Sequence, residues 1–155
     1  MKKPIKRHEA LKPLSREHHH GLLLCWKIRE GVKRNVEIGR IKDYIDWFET
    51  RYLDPHFEAE EQYIFPVLGN ENALVQRALA EHRRLRRLFN QEVEVFKAIH
   101  AIEEELDLHI RFEERTLFNK IQEVATPKEY AEIEERHHSI NFSDDEWKDH
   151  FWAGN

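Results

Sequence analysis

One ten-residue segment occurs almost twice in this chain. His56-Phe57-Glu58-Ala59-Glu60-Glu61-Gln62-Tyr63-Ile64-Phe65 is echoed by His109-Ile110-Arg111-Phe112-Glu113-Glu114-Arg115-Thr116-Leu117-Phe118. Each copy has a His four residues before a Glu, a second Glu after it, an apolar residue after the His and a closing Phe. Residues four apart on a helix point the same way, so each copy offers one imidazole and one carboxylate from a single face. Two helices doing this towards a shared interior make a metal site, and two irons are its best-fitting occupants.

The rest of the chain reads as the helices such a site requires. Charged residues make up 35% of it and glycine numbers only 5, which favours long amphipathic helices over sheet. A first helix is expected from Pro13 or Ser15 to Arg34, with Ser15 as N-cap, an inner stripe of Leu14, His18, Leu22, Cys25 and Val32, and Gly31 and Asn35 marking its decay. A second runs from about Ile38 to Leu68, kinked or bulged at Pro55 and closed by Gly69-Asn70. A third runs from about Glu71 to Asn90, with Leu74, Ala78, His82, Leu85 and Phe89 on one face. A fourth runs from about Val95 to Val124 and carries His109 and Glu113. Thr126-Pro127 caps a short fifth helix through Glu135. The tail from His137, with Trp147, Phe151 and Trp152, is expected to pack on the outside of the bundle or on a protein partner.

The fold class expected is therefore all-α: an up-down-up-down four-helix bundle over about residues 11–124, with the short helix and tail at 126–155, in a single domain spanning 1–155. Antiparallel order brings His18, His56, Glu60, His82, His109 and Glu113 to one level near the same end of the bundle. Surface histidines would have no reason to align in this way. A metal-free bundle would instead bury several ionisable groups without compensation. His100 and Glu104 share the His-x-x-x-Glu spacing but fall on nearly the opposite face from His109. Glu60 and Glu113, close together in a poorly solvated interior, repel, so the metal-free protein is expected to keep a proton on at least one at raised pKa.

Other classes are disfavoured. A net charge of −5 and a pI near 6.1 do not suit a nucleic-acid binder. No apolar run is long enough to span a membrane. Met1 to Arg7 is basic without the apolar stretch of a signal peptide, so a cytoplasmic location is expected. The lone Cys25 reads as a buried, inert thiol. Mixed imidazole and carboxylate donors suit iron or manganese better than structural zinc.

The motifs taken together resemble the hemerythrin-like, or HHE cation-binding, family. Leu14-Ser15-Arg16-Glu17-His18-His19-His20-Gly21-Leu22 is similar to its first helix, Pro55-His56-Phe57-Glu58-Ala59-Glu60-Glu61 with Ile64-Phe65-Pro66 to its second, Glu81-His82-Arg83-Arg84-Leu85 to its third, and His109 to Glu114 with Leu117-Phe118 to its fourth. The resemblance covers about Leu11 to Val124 and leaves the tail outside it. It implies two non-haem iron ions, bridged by oxo or hydroxo groups and by carboxylates. Their ligands would be His18, His56, Glu60, His82, His109 and Glu113, with Glu60 and Glu113 bridging. His19 is the rival at the first position; Glu61 and Glu114 are rivals for the carboxylates or lie on a solvated flank with Glu58. The family's oxygen carriers place a second His four residues after the third-helix His. Here that residue is Arg86, expected to face the site and pair with a bridging Glu or an anion. The implied function is binding or sensing of dioxygen, nitric oxide, peroxide or iron, or oxidase or peroxidase chemistry at the same centre.

Overall fold

The computed structural model describes residues 6–153, so the first five residues of the basic start and the last two of the tail lie outside the description. It is all-helical. Helix α1 spans Lys12–Lys33. Helix α2 is one continuous rod over residues 38–67, built of Ile38–Phe48, a wide π turn Glu49–Leu53, Asp54–Ala59, a second π turn Glu60–Ile64 and a tight final turn Phe65–Val67. Helix α3 spans Ala73–Phe89. Helix α4 covers residues 95–124 as Val95–Phe112, a π turn Glu113–Leu117 and Phe118–Val124. Helix α5 spans Pro127–Arg136. The first four form the bundle, with α4 packed on both α1 and α3.

Helix ends follow from local chemistry. Asn72 caps α3 by accepting from the N–H groups of Leu74 and Val75, and Thr126 and Glu129 form a reciprocal capping box on α5. At the end of α1, Asn35 adopts φ 56°, its N–H donates to Val32 O, and Val36 N–H donates to Gly31 O. That pair of bonds is a Schellman motif. Two expectations about α1 are corrected. Ser15 lies inside the helix, where its hydroxyl donates to Glu114 Oε2 at 2.9 Å, and the N-cap is Leu11 with no side-chain cap. Gly31 is a buried contact point: a Cβ there would meet Ile41 Cδ1 and Phe151 Cε2 at 2.8 Å.

The expected irregularity near Pro55 is present as the first π turn, two residues ahead of the proline, which has no N–H and whose ring would strike the carbonyl of Arg51 in a regular helix. Pro66 stands in the same relation to the second π turn. No proline follows the third. What it shares with the second is a fully buried Glu as its first residue, Glu113 beside Glu60.

The interior has two apolar clusters. One joins Leu24 and Ile28 of α1, Tyr44 and Phe48 of α2, Phe89 of α3 and Ile99 of α4. The other joins Leu14 of α1, Phe65 of α2, Ala78 of α3 and Phe118 of α4 with Ile133 of α5. Between them lies a layer of buried ionisable side chains. The tail folds back on the bundle: Phe151 is buried, and Trp147 and Trp152 pack against the first cluster.

Candidate metal centre

Each bundle helix contributes to the layer. His18 comes from α1, His56 and Glu60 from α2, His82 from α3, and His109 and Glu113 from α4; all are buried, and the two glutamates are 0% exposed. Their donor atoms form two groups, His18-His56-Glu60-Glu113 and Glu60-His82-His109-Glu113, each with its atoms within 4.8 Å of one another. Both glutamates belong to both groups, so the structure brings together all six residues singled out in the sequence.

The four histidines face inward through Nε2. His18 Nε2 lies 2.8 Å from Glu113 Oε1 and 3.3 Å from Glu60 Oε2. His56 Nε2 is 3.4 Å from Glu60 Oε2, His82 Nε2 is 3.2 Å from Glu60 Oε1 and 3.5 Å from Glu113 Oε2, and His109 Nε2 is 3.3 Å from Glu113 Oε2. Of these contacts only that between His18 Nε2 and Glu113 Oε1 is a hydrogen bond. Nε2 of His56, His82 and His109, both oxygens of Glu60 and Oε2 of Glu113 are buried without a partner among the described residues. Such atoms are costly to bury unless something else satisfies them. Two donors held about 2.1 Å from one cation at right angles stand about 3.0 Å apart, which is the spacing seen here. The donor set is imidazole and carboxylate; Cys25 is buried elsewhere, its thiol pushed up to about 12 by burial. The residues fit a pair of hard-to-intermediate cations such as iron.

Every Nδ1 faces outward onto a different carboxylate. His56 bonds Glu17 Oε1 at 2.7 Å, His82 bonds Glu61 Oε2 at 2.6 Å, His109 bonds Glu81 Oε1 at 2.7 Å and His18 bonds Glu114 Oε2 at 2.9 Å. Each of these glutamates adjoins an inner donor in sequence and serves the histidine of another helix. The order closes on itself: α1 supports α2, α2 supports α3, α3 supports α4 and α4 supports α1. Carboxylates in this position fix the tautomer and ring orientation of ligating histidines.

Proton placement differs from the expectation of a neutral Glu. Burial and mutual repulsion do press Glu60 upward, but His56 and His18 hold it below the usual carboxylate range. Burial likewise opposes the charge on Glu113, and His109, His18 and His82 hold it lower still. The protons sit on the imidazoles. Burial opposes their charge, yet Glu60 and Glu17 raise His56 to about 9, and Glu113, Glu60 and Glu61 raise His82 to about 10. Four imidazoles outweigh the repulsion of two carboxylates.

The rivals fall away from the layer. His19 is exposed, and His20 packs edge-on against Tyr52 and Phe142. Glu61 and Glu114 form part of the outer ring, and Glu58 is exposed. His100 and Glu104 meet at 3.3 Å on the surface. Arg86 pairs with neither bridging-position glutamate: its Nη1 donates to Glu61 Oε2 at 2.9 Å and its Nε to Asp54 Oδ1 at 3.1 Å. Sequence reasoning missed Glu17 and Glu81 as supports, although both stand immediately before an inner histidine. Beside His18, His56 and His109 lies a cavity of about 10 Å³, also lined by Gly21, Tyr52 and Leu106. That is roughly the room one water needs. Gly21 lets α1 close on α4 here, where a Cβ would meet Ile110 Cδ1 at 2.6 Å. The buried Tyr52 hydroxyl has no partner among the described residues. None of the described helices is long and apolar enough to cross a membrane.

In comparison with known families, the model of the hemerythrin HHE cation-binding domain matches residues 8–97, more than half of the chain. It takes in His18, His56, Glu60 and His82 and stops before His109 and Glu113. No curated protein and no solved structure matches.

Proposed function

Because the chain belongs to the hemerythrin HHE cation-binding family, we propose that its buried layer holds two non-haem iron ions and that the protein binds or senses dioxygen or a related small ligand such as nitric oxide or peroxide. The observation that carries this reading is the set of inward donors left without partners, divided into two groups that share Glu60 and Glu113. His18 and His56 would serve one ion, His82 and His109 the other, and the two glutamates both. Iron in such a site supplies reversible electron transfer to a small bound molecule. The chain supplies the rest. The outer glutamates orient the imidazoles, the apolar clusters above and below exclude water, and a cavity with about the room of one water lies against His18, His56 and Tyr52. The single buried thiol suits a reducing, cytoplasmic setting.

A second reading rests on Arg86. It occupies the position at which the family's oxygen carriers have another histidine and turns to Asp54 and Glu61 instead. A centre with fewer nitrogen donors and more open positions favours oxidase- or peroxidase-type chemistry. Metal analysis with visible spectra in air separates the two readings. Two irons per chain and an absorption that reverses on deoxygenation support the binder. Irreversible oxidation with peroxide consumption supports the enzyme. No iron after expression in iron-supplemented medium overturns both.

A further inference from the structure

The outer ring of glutamates is not uniform. Glu61, Glu81 and Glu114 have side chains 27–30% exposed. Their basic neighbours are Arg86 at 2.9 Å, Arg77 at 2.9 Å and Arg7 at 3.7 Å. Glu17 is only 3% exposed, and no arginine reaches it among the described residues. Its Oε1 accepts from His56. Its Oε2 accepts from His137 Nε2 at 2.8 Å and from the backbone N–H of Ile140 at 3.0 Å. Both of those donors lie beyond the bundle, where α5 ends and the tail begins.

The tail is firmly seated. Asp144 accepts from Lys27 and from the Tyr44 hydroxyl, Arg40 grips Asp149 through two bonds of 2.8 and 2.6 Å, and Arg51 reaches Glu146 at 3.1 Å. Phe151 fills the gap that Gly31 leaves against Ile41. A segment remote in sequence from His56 is thus held where it can fix the one carboxylate that orients His56.

We propose that the C-terminal tail is a working part of the metal centre: His137 is a positioning residue that acts through Glu17 on His56, so that the cation position served by His18 and His56 depends on the tail while the position served by His82 and His109 does not. Without His137, Glu17 Oε2 would keep only the Ile140 N–H, the carboxylate would be free to tilt, and His56 would lose part of the constraint that aims Nε2 inward. Loss of an outer partner of this kind lowers metal affinity by about 10- to 100-fold.

The proposal rests on the cation-binding reading, and cobalt(II) titration of the full chain, followed by its visible bands, tests the two separately. In the parent protein two binding steps are expected. His137→Asn, whose amide is too short to reach Glu17, should weaken one step by about 10- to 100-fold and leave the other unchanged. His137→Gln, whose amide nitrogen reaches where Nε2 lies, should restore it. Arg77→Ala, which strips the basic neighbour of Glu81, should act on the other step. Circular dichroism confirms that each variant is folded. Should His137→Asn fail to fold, the unaltered protein decides: adding zinc should shift the side-chain nitrogen resonances of His137 and leave those of exposed His138 in place. A parent that takes up no cobalt overturns the cation reading. A parent with two steps, and a folded His137→Asn matching it in both, overturns the role of the tail. So does a His137 resonance indifferent to zinc.

Discussion

Among the described residues, the polar cluster around Lys27 and the layer of histidines and glutamates are built on opposite terms. In the first, Lys27 donates to the Tyr44 hydroxyl at 2.9 Å and to Asp144, Tyr44 donates to Asp144 at 2.7 Å, and the ammonium lies 4.3 Å from the centre of the Trp152 ring. One cation, one anion and one hydroxyl satisfy each other, and the cluster is closed. In the second, four imidazoles surround two carboxylates, yet six atoms of the layer have no bonding partner among the described residues. Both clusters resist desolvation through charge. Only the second leaves donors converging on points that no protein atom fills. The closed cluster fastens the tail to the bundle; the open one is shaped for guests.

The comparison breaks most sharply at the glutamates. Glu60→Ala or Glu113→Ala should lower bound iron by more than about tenfold, whereas surface Glu104→Ala should bind as the parent does. Iron per chain for the three variants checks this, and iron loss confined to Glu104→Ala would reverse the assignment of faces on α4. Next in size is metal removal. A ligand present at a thousandfold excess over its dissociation constant stabilises the folded state by about 4 kcal/mol. Chelation should therefore lower Tm by roughly 10 °C. Lys27→Met tests the closed cluster. It removes the ammonium shared by the Tyr44 hydroxyl and Asp144 and leaves those two paired only with each other, at a cost of about 1–3 kcal/mol, which calorimetry would read as a fall of a few degrees in Tm.

The response to pH separates the metal-free protein from the loaded one. His56 and His82 are raised to about 9 and 10 in the folded chain, above an unfolded value of about 6.5. Their contribution to stability is complete below the unfolded value and disappears as pH rises through the folded values. Tm of the metal-free protein should drift down between about pH 7 and 10. The loaded protein, its inward nitrogens already free of protons, should stay level over the same interval. Equal slopes for the two forms would count against cations at these nitrogens.

The inner donors were legible because helical spacing is a local property. A His and a Glu four apart share a face wherever the helix goes, so the duplicated segment announced four of the six positions. The outer ring was harder to read. Glu17 and Glu81 stand next to His18 and His82, but neighbours on a helix diverge by about 100° and look like flank. Their targets, His56 and His109, lie on other helices, and only packing reveals them. The bond from His137 to Glu17 spans 120 residues and leaves no local trace. Arg86, one turn beyond His82, meets a carboxylate as its spacing suggests, but the carboxylates are Glu61 and Asp54 and not a bridging-position glutamate. Pro55 gave notice of the first π turn. The third has no such marker, since Glu113-Glu114-Arg115-Thr116-Leu117 is ordinary helical sequence.

Those wide turns give the bundle an unusual tolerance. Removing one residue from a regular helix swings everything beyond it by about 100° and empties the core of its side chains. A π turn already holds one residue more than an α turn needs. Deleting exposed Arg115 from Glu113–Leu117 would let the helix relax to ordinary winding, with Phe118 and Ile121 still facing inward. The length of α4 is thus fixed by the site it serves more than by the fold that contains it.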